Sequence, residues 1–167
     1  MQQGHEHHQA GANRMDDAAM RRSHYKMLAL NLAISLAIMY FVMFAMINSL
    51  GEFIQNVNFF YMALMMWAPM GSLMLIMMGG MYKNKRLNMA LHALFALVLV
   101  LSFLATRQQW LVGDKQFLRS MIPHHSGAIL MCREATIRDA EIKRLCEEII
   151  PAQQREIDEM KQIMARM

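Results

Sequence analysis

The segment SMIPHHSGAILMC, residues 120–132, carries two adjacent histidines flanked by methionines. If the segment is helical, Met121 lies one turn before His125. Met131 then lies two turns after His124. Imidazole nitrogen and thioether sulfur suit soft metal ions, whereas Mg²⁺ and Ca²⁺ require oxygen ligands. The pattern therefore predicts a soft-metal site that favours Cu(I), with Cu(II) or Ag(I) as alternatives.

Adjacent residues of a helix point about 100° apart, so the two histidines cannot face the same partner squarely. We expect one to face the seam between two helices and the other to face a neighbouring helix or subunit. Met160 and Met164, on a second predicted helix, extend the ligand set across that seam. In the alternative interpretation, His124 and His125 are interfacial polar residues that hydrogen-bond to glutamine side chains or to water.

Residues 107–167 predict two helices that pair as an antiparallel hairpin. Asp114, which follows a glycine, is the predicted N-cap of the first helix, and Asp139 is that of the second. With the turn near Asp139, residues at the same height have numbers that add to about 278. Three such pairs are Cys132 with Cys146, His125 with Gln153, and His124 with Gln154.

The paired cysteines, Cys132 and Cys146, fit a disulfide that pins the hairpin, provided that the compartment is oxidising. Two alternatives remain open: a metal-thiolate pair and two buried, unpaired thiols. We expect Gln153 and Gln154 to lie beside the histidines, where they support the side chains that bind the metal.

Three uninterrupted apolar segments precede the hairpin, at residues 27–50, 59–82 and 87–106. Each is long enough, at about 1.5 Å per residue, to cross a hydrocarbon core about 30 Å thick, and none contains Asp, Glu, Lys or Arg. The first segment is also too long for the core of a signal peptide. The sequence therefore predicts three transmembrane helices.

Basic side chains cluster at two of the connections that flank the predicted membrane helices. Four precede the first helix and three lie between the second and third: Arg14, Arg21, Arg22, Lys26, Lys83, Lys85 and Arg86. The loop between the first two helices has Glu52 and no Lys or Arg, so it is the predicted translocated loop. This topology predicts a protein of the bacterial inner membrane. Its N-terminus is expected in the cytoplasm and its hairpin in the periplasm. The topology also accounts for most of the net charge of +4. Because no basic stripe interleaves with aromatic residues, we expect no nucleic-acid partner.

Residues 1–26 have little apolar periodicity and predict a disordered cytoplasmic tail, followed by the membrane region, residues 27–106, and the hairpin, residues 107–167. The tail segment GHEHHQ contains histidines that either chelate a metal or are simply solvated.

Methionines also recur along the membrane helices, at residues 39, 43 and 46 and from residue 62 to residue 81. They indicate flexible helix packing or, alternatively, a soft-metal relay. His92 is either a functional site within the membrane or a packing residue near the interface.

The segments FLRSMIPHHSGAILM and PAQQREIDEMKQIM resemble family 305 of bacterial domains of unknown function, within the ferritin-like superfamily. That family includes periplasmic copper-binding and copper-resistance proteins. The resemblance covers about residues 114–164 and implies that five side chains contribute to copper binding: His124, His125, Met121, Met131 and Met160. This chain departs from the family in having a single short hairpin behind three membrane helices in place of a secretion signal.

Enzymatic activity is not expected. No glutamate is followed three residues later by histidine, which argues against the di-iron chemistry of ferritin-like relatives. No recognised nucleophile motif surrounds the histidines.

The predicted fold is all-α, with three transmembrane helices followed by an antiparallel hairpin that forms half of a ferritin-like bundle. A lone hairpin buries too little surface to be stable, so we expect a homo-oligomer to complete the bundle. The predicted function is copper sequestration, transfer or tolerance by a membrane-anchored protein. Its expected partners are the lipid bilayer and a copper-handling protein. The alternative is a membrane scaffold or accessory subunit whose hairpin docks a partner or self-assembles without metal.

Overall fold

A computed structural model describes the backbone of residues 3–167 and the side chains of Met20 and residues 22–167. This part of the chain is all-helical and contains no strand, which confirms the predicted fold class. Two short 3-10 turns, Met43–Met46 and Leu50–Glu52, lie between the first two α-helices. The α-helices are α1 (Gln3–Val42), α2 (Val57–Met77), α3 (Lys85–Gln108), α4 (Asp114–Glu134) and α5 (Ala140–Ala165).

Three segments are long and apolar enough to cross a membrane: Arg22–Met46, Val57–Met77 and Lys85–Gln108. They correspond to the three predicted apolar runs, and the chain is a membrane protein. The second helix ends at Met77 rather than at residue 82, because the chain turns through Gly79 and Gly80. Glycine favours such a turn over helix continuation.

The first membrane helix also ends earlier than residue 50, where the apolar run ends. Helix α1 stops at Val42, the 3-10 turn Met43–Met46 follows, and Ile47 is extended with φ −77° and ψ 143°. Ser49 and Glu52 then form a capping box around the turn Leu50–Glu52. Apolar composition alone does not distinguish an α-helix from these turns, because the polar contacts of the loop determine where the helix ends.

The backbone of the N-terminal segment is described as helical from Gln3. Helix α1 begins at Gln3, so its backbone is continuous with the first membrane segment. Residues 3–26 contain no proline, and a helix that is already nucleated extends at little further cost. The chelation predicted for His5, His7 and His8 lies outside the residues whose side chains are described.

The hairpin formed by α4 and α5 has its own apolar core of Leu118, Ile122, Ile129, Ile157 and Met160. Asp139 caps α5 as predicted, and its Oδ1 accepts hydrogen bonds from the backbone N–H groups of Glu141 and Ile142 at 2.9 and 3.0 Å. The prediction for Asp114 is wrong. Gly113 is the N-cap of α4, because the helix begins one residue earlier than expected, and Asp114 lies in the first turn near the positive end of the helix dipole.

A disulfide joins Cys132 and Cys146, whose Cα atoms are 5.4 Å apart. This pairing agrees with the predicted helix register near the turn. The disulfide consumes both cysteines of the chain, so the alternatives of metal thiolates and unpaired thiols do not apply.

Candidate functional site

The two adjacent histidines diverge from α4, as helix geometry predicts. Their ring centroids are 6.1 Å apart and the ring planes are inclined by 60°. His125 faces the hairpin seam, where its Nδ1 lies 2.9 Å from Oε2 of Glu156. His124 is exposed and lines a cavity between the hairpin and the membrane helices.

The surroundings of His125 disfavour its protonated form. Burial lowers the pKa of His125 below its ordinary value, the carboxylate of Glu156 opposes this shift, and His124 adds to it. The Nδ1 and Oε2 atoms are close but do not satisfy hydrogen-bond geometry, so Glu156 fixes the ring only weakly. Neutral imidazole is the form that coordinates metal ions.

The predicted glutamine neighbours require a correction. His125 meets Glu156, one turn beyond Gln153, because side chains lean toward the N-terminus of their own helix and so shift the contacts of an antiparallel pair. Gln153 instead lies beside His124, on the same cavity, and its Nε2 is 3.4 Å from the Glu156 carboxylate. Gln154 donates to Asp158 of its own helix at 3.1 Å.

The six predicted metal ligands do not form one cluster. Met160 is buried in the hairpin core, and Met121 and Met164 pack against the same core. Met131 is exposed and lies with His124 on the cavity. In the described part of the chain, no group of three or more His, Cys, Asp or Glu side chains is placed to hold a metal ion. Methionine is not among these four residue types, so this result does not exclude a site built from histidine and methionine.

The cavity beside His124 has a volume of about 380 Å³ and contains thioethers from two sources. One comes from the hairpin, at Met131, and three come from the membrane helices, at Met43, Met46 and Met62. No carboxylate or basic side chain is among its lining residues. Sequence reasoning treated the membrane methionines chiefly as packing, since no pattern in the chain shows how the hairpin sits on the membrane helices.

Ser126, directly after the histidines, attaches the hairpin to the loop between the first two membrane helices. It is fully buried, and its hydroxyl group donates to Oε2 of Glu52 at 2.5 Å. Oγ of Ser126 in turn accepts a hydrogen bond from the backbone N–H of Asn48 at 2.6 Å. Glu52 is itself buried and also accepts from the backbone N–H of Ser49 at 3.1 Å. Sequence reasoning missed this contact, because Ser126 and Glu52 are 74 residues apart.

Two further residues of α4 strengthen this attachment. A Cβ added at Gly127 would lie 3.4 Å from the backbone oxygen of Met46, so the helix packs directly against the 3-10 turn at this position. Arg133 donates from Nη1 to Oδ1 of Asn48 at 3.0 Å. The motif PHHSG therefore combines two imidazoles with the residues that position them against the membrane helices.

His92, the intramembrane candidate, has a polar partner. Its Nδ1 lies 2.6 Å from Oγ of Ser72 on α2, beside a cavity of about 310 Å³. A hydrogen bond of this kind satisfies a polar ring within apolar surroundings. This contact fits the interpretation of His92 as a packing residue.

Comparisons with known proteins agree with the sequence motif. A family model described as a domain of unknown function, DUF305, matches residues 101–164. The chain is 36% identical over 119 residues to an uncharacterised protein of Acanthamoeba polyphaga mimivirus, covering 70% of this chain and 76% of the viral protein. This alignment is longer than the family match, so the similarity extends from the hairpin into the membrane region. No solved structure matches the chain.

Proposed function

We propose that this chain, which belongs to the family defined by the DUF305 domain, is a membrane-anchored protein that binds copper as Cu(I) and sequesters it or hands it on. The observation that carries the proposal is the position of His124, which lines a cavity together with Met131 and with no carboxylate. Soft nitrogen and sulfur ligands favour Cu(I) over hard cations, and Ag(I) is the nearest substitute. The resemblance to copper-resistance proteins of the ferritin-like superfamily adds support. We propose binding rather than catalysis.

The proposed orientation places the hairpin on the side of the membrane opposite the basic loop. Ser126 contacts Glu52, so the hairpin and the acidic loop lie on the same side. Lys83, Lys85 and Arg86 lie at the junction of the other loop with the start of α3, and the positive-inside rule favours the cytoplasm for such a junction. The hairpin disulfide fits an oxidising compartment on the outer side, such as the periplasm. The bacterial inner membrane stays a prediction of the resemblance, and the relative described above is viral.

A second candidate function is a scaffold or accessory subunit whose hairpin docks a partner or a second copy. It is favoured by exposed apolar side chains of the hairpin: Phe117, Ile142 and Leu145 are 52, 48 and 53% exposed. A second hairpin packed there would complete the predicted four-helix bundle. This association is compatible with copper binding. A measurement of whether the chain binds the metal therefore distinguishes the two candidate functions.

The test is a titration of the full-length chain in detergent with Cu(I), in competition with a chromogenic Cu(I) chelator. The background carries His5→Ala, His7→Ala and His8→Ala, so that the tail cannot mask the result. We expect one Cu(I) to be lost, or its affinity to fall at least about tenfold, when His124→Ala and His125→Ala are combined, because the pair removes the imidazole that lines the cavity and the imidazole beside it. Unchanged stoichiometry and affinity in that combined variant would overturn the proposal, and His92→Gln serves as a histidine control away from the cavity.

A further inference from the structure

We infer that the copper site belongs jointly to the hairpin and to the membrane helices, with Met43, Met46 and Met62 joining His124 and Met131 around one Cu(I). This inference rests on the proposed function and adds ligands that lie outside residues 101–164, the part matched by the family model.

Three separate elements bring these five side chains to one cavity. Met43 and Met46 belong to the 3-10 turn at the end of the first membrane segment. Met62 lies near the start of α2. His124 and Met131 lie two turns apart on α4, and Gln153 of α5 closes the cavity from the other side.

The 3-10 turn explains why two membrane thioethers face the same way. In a 3-10 helix, the side chains at positions i and i+3 eclipse each other, whereas an α-helix would rotate them apart. Met43 and Met46 have this spacing, and both line the cavity. The early end of the α-helix at Val42 therefore has a consequence for the site, since it turns two sulfur atoms toward the hairpin.

The methionines of the cavity differ from the packing methionines of the hairpin. Met46, Met62 and Met131 are 53, 41 and 58% exposed, whereas Met160 in the hairpin core is 9% exposed. A methionine that fills a core contacts neighbours on all sides. The cavity methionines instead leave open space of about 380 Å³, which is room for an ion and for movement of the flexible side chains.

The chemistry of the cavity suits a singly charged soft ion. Thioether and imidazole ligands are neutral, so the bound complex keeps only the charge of the metal. A monovalent cation is less costly to hold in apolar surroundings than a divalent one. The four sulfur atoms and one nitrogen exceed the ligands that Cu(I) needs, so the ion can change partners between the hairpin and the membrane side without leaving the cavity.

The attachment through Ser126 and Gly127 holds the two halves of this site together. Ser126 binds the loop at Glu52 and Asn48, and Gly127 brings α4 against the backbone of Met46. His124 is two residues before Ser126 on the same helix. Weakening the attachment should therefore weaken copper binding even though every ligand remains.

The test replaces the membrane thioethers while leaving the hairpin intact. Met43→Leu, Met46→Leu and Met62→Leu are combined in the full chain, in the background that carries His5→Ala, His7→Ala and His8→Ala, since leucine keeps the apolar volume and removes sulfur. We expect the Cu(I) affinity to fall at least about tenfold. The matched control combines Met66→Leu, Met77→Leu and Met78→Leu, which lie in the membrane region outside the cavity and should leave the affinity unchanged.

The outcomes separate this inference from the proposed function. Wild-type affinity in the cavity triple variant, together with loss of binding in the His124→Ala and His125→Ala variant, would overturn the shared site and leave a hairpin copper site. Wild-type affinity in both variants would overturn the proposed function as well. An equal loss in the triple variant and in its control would also overturn the shared site. Thermal unfolding of every variant in the same detergent verifies that each is folded.

Discussion

At the scale of single residues, Ser126 connects the segment of the two histidines to the loop between the first two membrane helices. Its hydroxyl group satisfies a buried carboxylate at Glu52 and a backbone N–H at Asn48. Buried polar groups that lose a partner cost more than the hydrogen bond itself contributed. The residue next to the two histidines is therefore important for where they are held, although it is not itself a metal ligand.

Ser126→Ala is predicted to destabilise the docked hairpin by about 1–3 kcal/mol, because Glu52 and Asn48 each lose a partner. The measurement is the thermal unfolding midpoint of the full chain in detergent. Ser120→Ala is the matched control, since Ser120 is on the same helix and is buried, but its Oγ has no hydrogen-bond partner in the described structure. Equal shifts for the two variants would contradict the role assigned to Ser126.

The residue-scale features that the sequence predicts are those set by local geometry. The divergence of His124 and His125 follows from the rotation of a helix, and the cap at Asp139 follows from the preference of aspartate for that position. The contact of His125 with Glu156 does not follow, because helix register alone ignores the lean of the side chains. The role of Ser126 depends on a loop distant in the chain.

At the scale of elements, the hairpin is a small unit with a core of five apolar residues and one cross-link. The disulfide joins residues separated by 14 positions and spans the turn between α4 and α5. Closing a loop of this length restricts the unfolded chain. The cross-link thus maintains the position of His124 relative to Gln153 across the cavity.

Replacing both cysteines by serine is predicted to destabilise the hairpin by about 3 kcal/mol, the value for a loop of about 15 residues. The measurement is thermal unfolding with and without a reductant. Reductant should lower the unfolding midpoint of the unmodified chain and leave the Cys132→Ser, Cys146→Ser variant unchanged. A midpoint insensitive to reductant in the unmodified chain would argue against the disulfide.

The existence of the helices is more predictable than their ends. A run of 20 apolar residues has few structural solutions other than a membrane helix, so all three spans were expected. The ends depend on the capping box of Ser49 and Glu52 and on the glycines after α2, which contribute little to hydropathy. The cavity beside His124 was not predictable for the same reason, because it lies where one such end meets the hairpin.

At the scale of the whole molecule, the hairpin is attached to the loop between the first two helices. This attachment fixes the position of the hairpin relative to the membrane helices. The turn of the hairpin and the basic loop at Lys83–Arg86 should lie on opposite sides of the membrane. The native cysteines are joined in a disulfide, so they do not interfere with thiol labelling.

Single cysteines introduced by Arg138→Cys, in the hairpin turn, and Lys83→Cys, in the basic loop, provide the topological test. With a thiol reagent that does not cross membranes, intact cells should label the first variant and not the second. Permeabilised cells should label both, which is the control for reactivity. Labelling of both sites in intact cells would contradict the topology.

The central claim is that this membrane protein holds Cu(I) between imidazole and thioether ligands at the junction of hairpin and membrane. X-ray absorption at the copper edge, on the full chain in detergent loaded with one equivalent of Cu(I), measures the ligand atoms directly. We predict sulfur scatterers together with an imidazole signal that disappears in His124→Ala. A shell of oxygen and nitrogen without sulfur, or copper that does not stay with the protein on desalting, would contradict it.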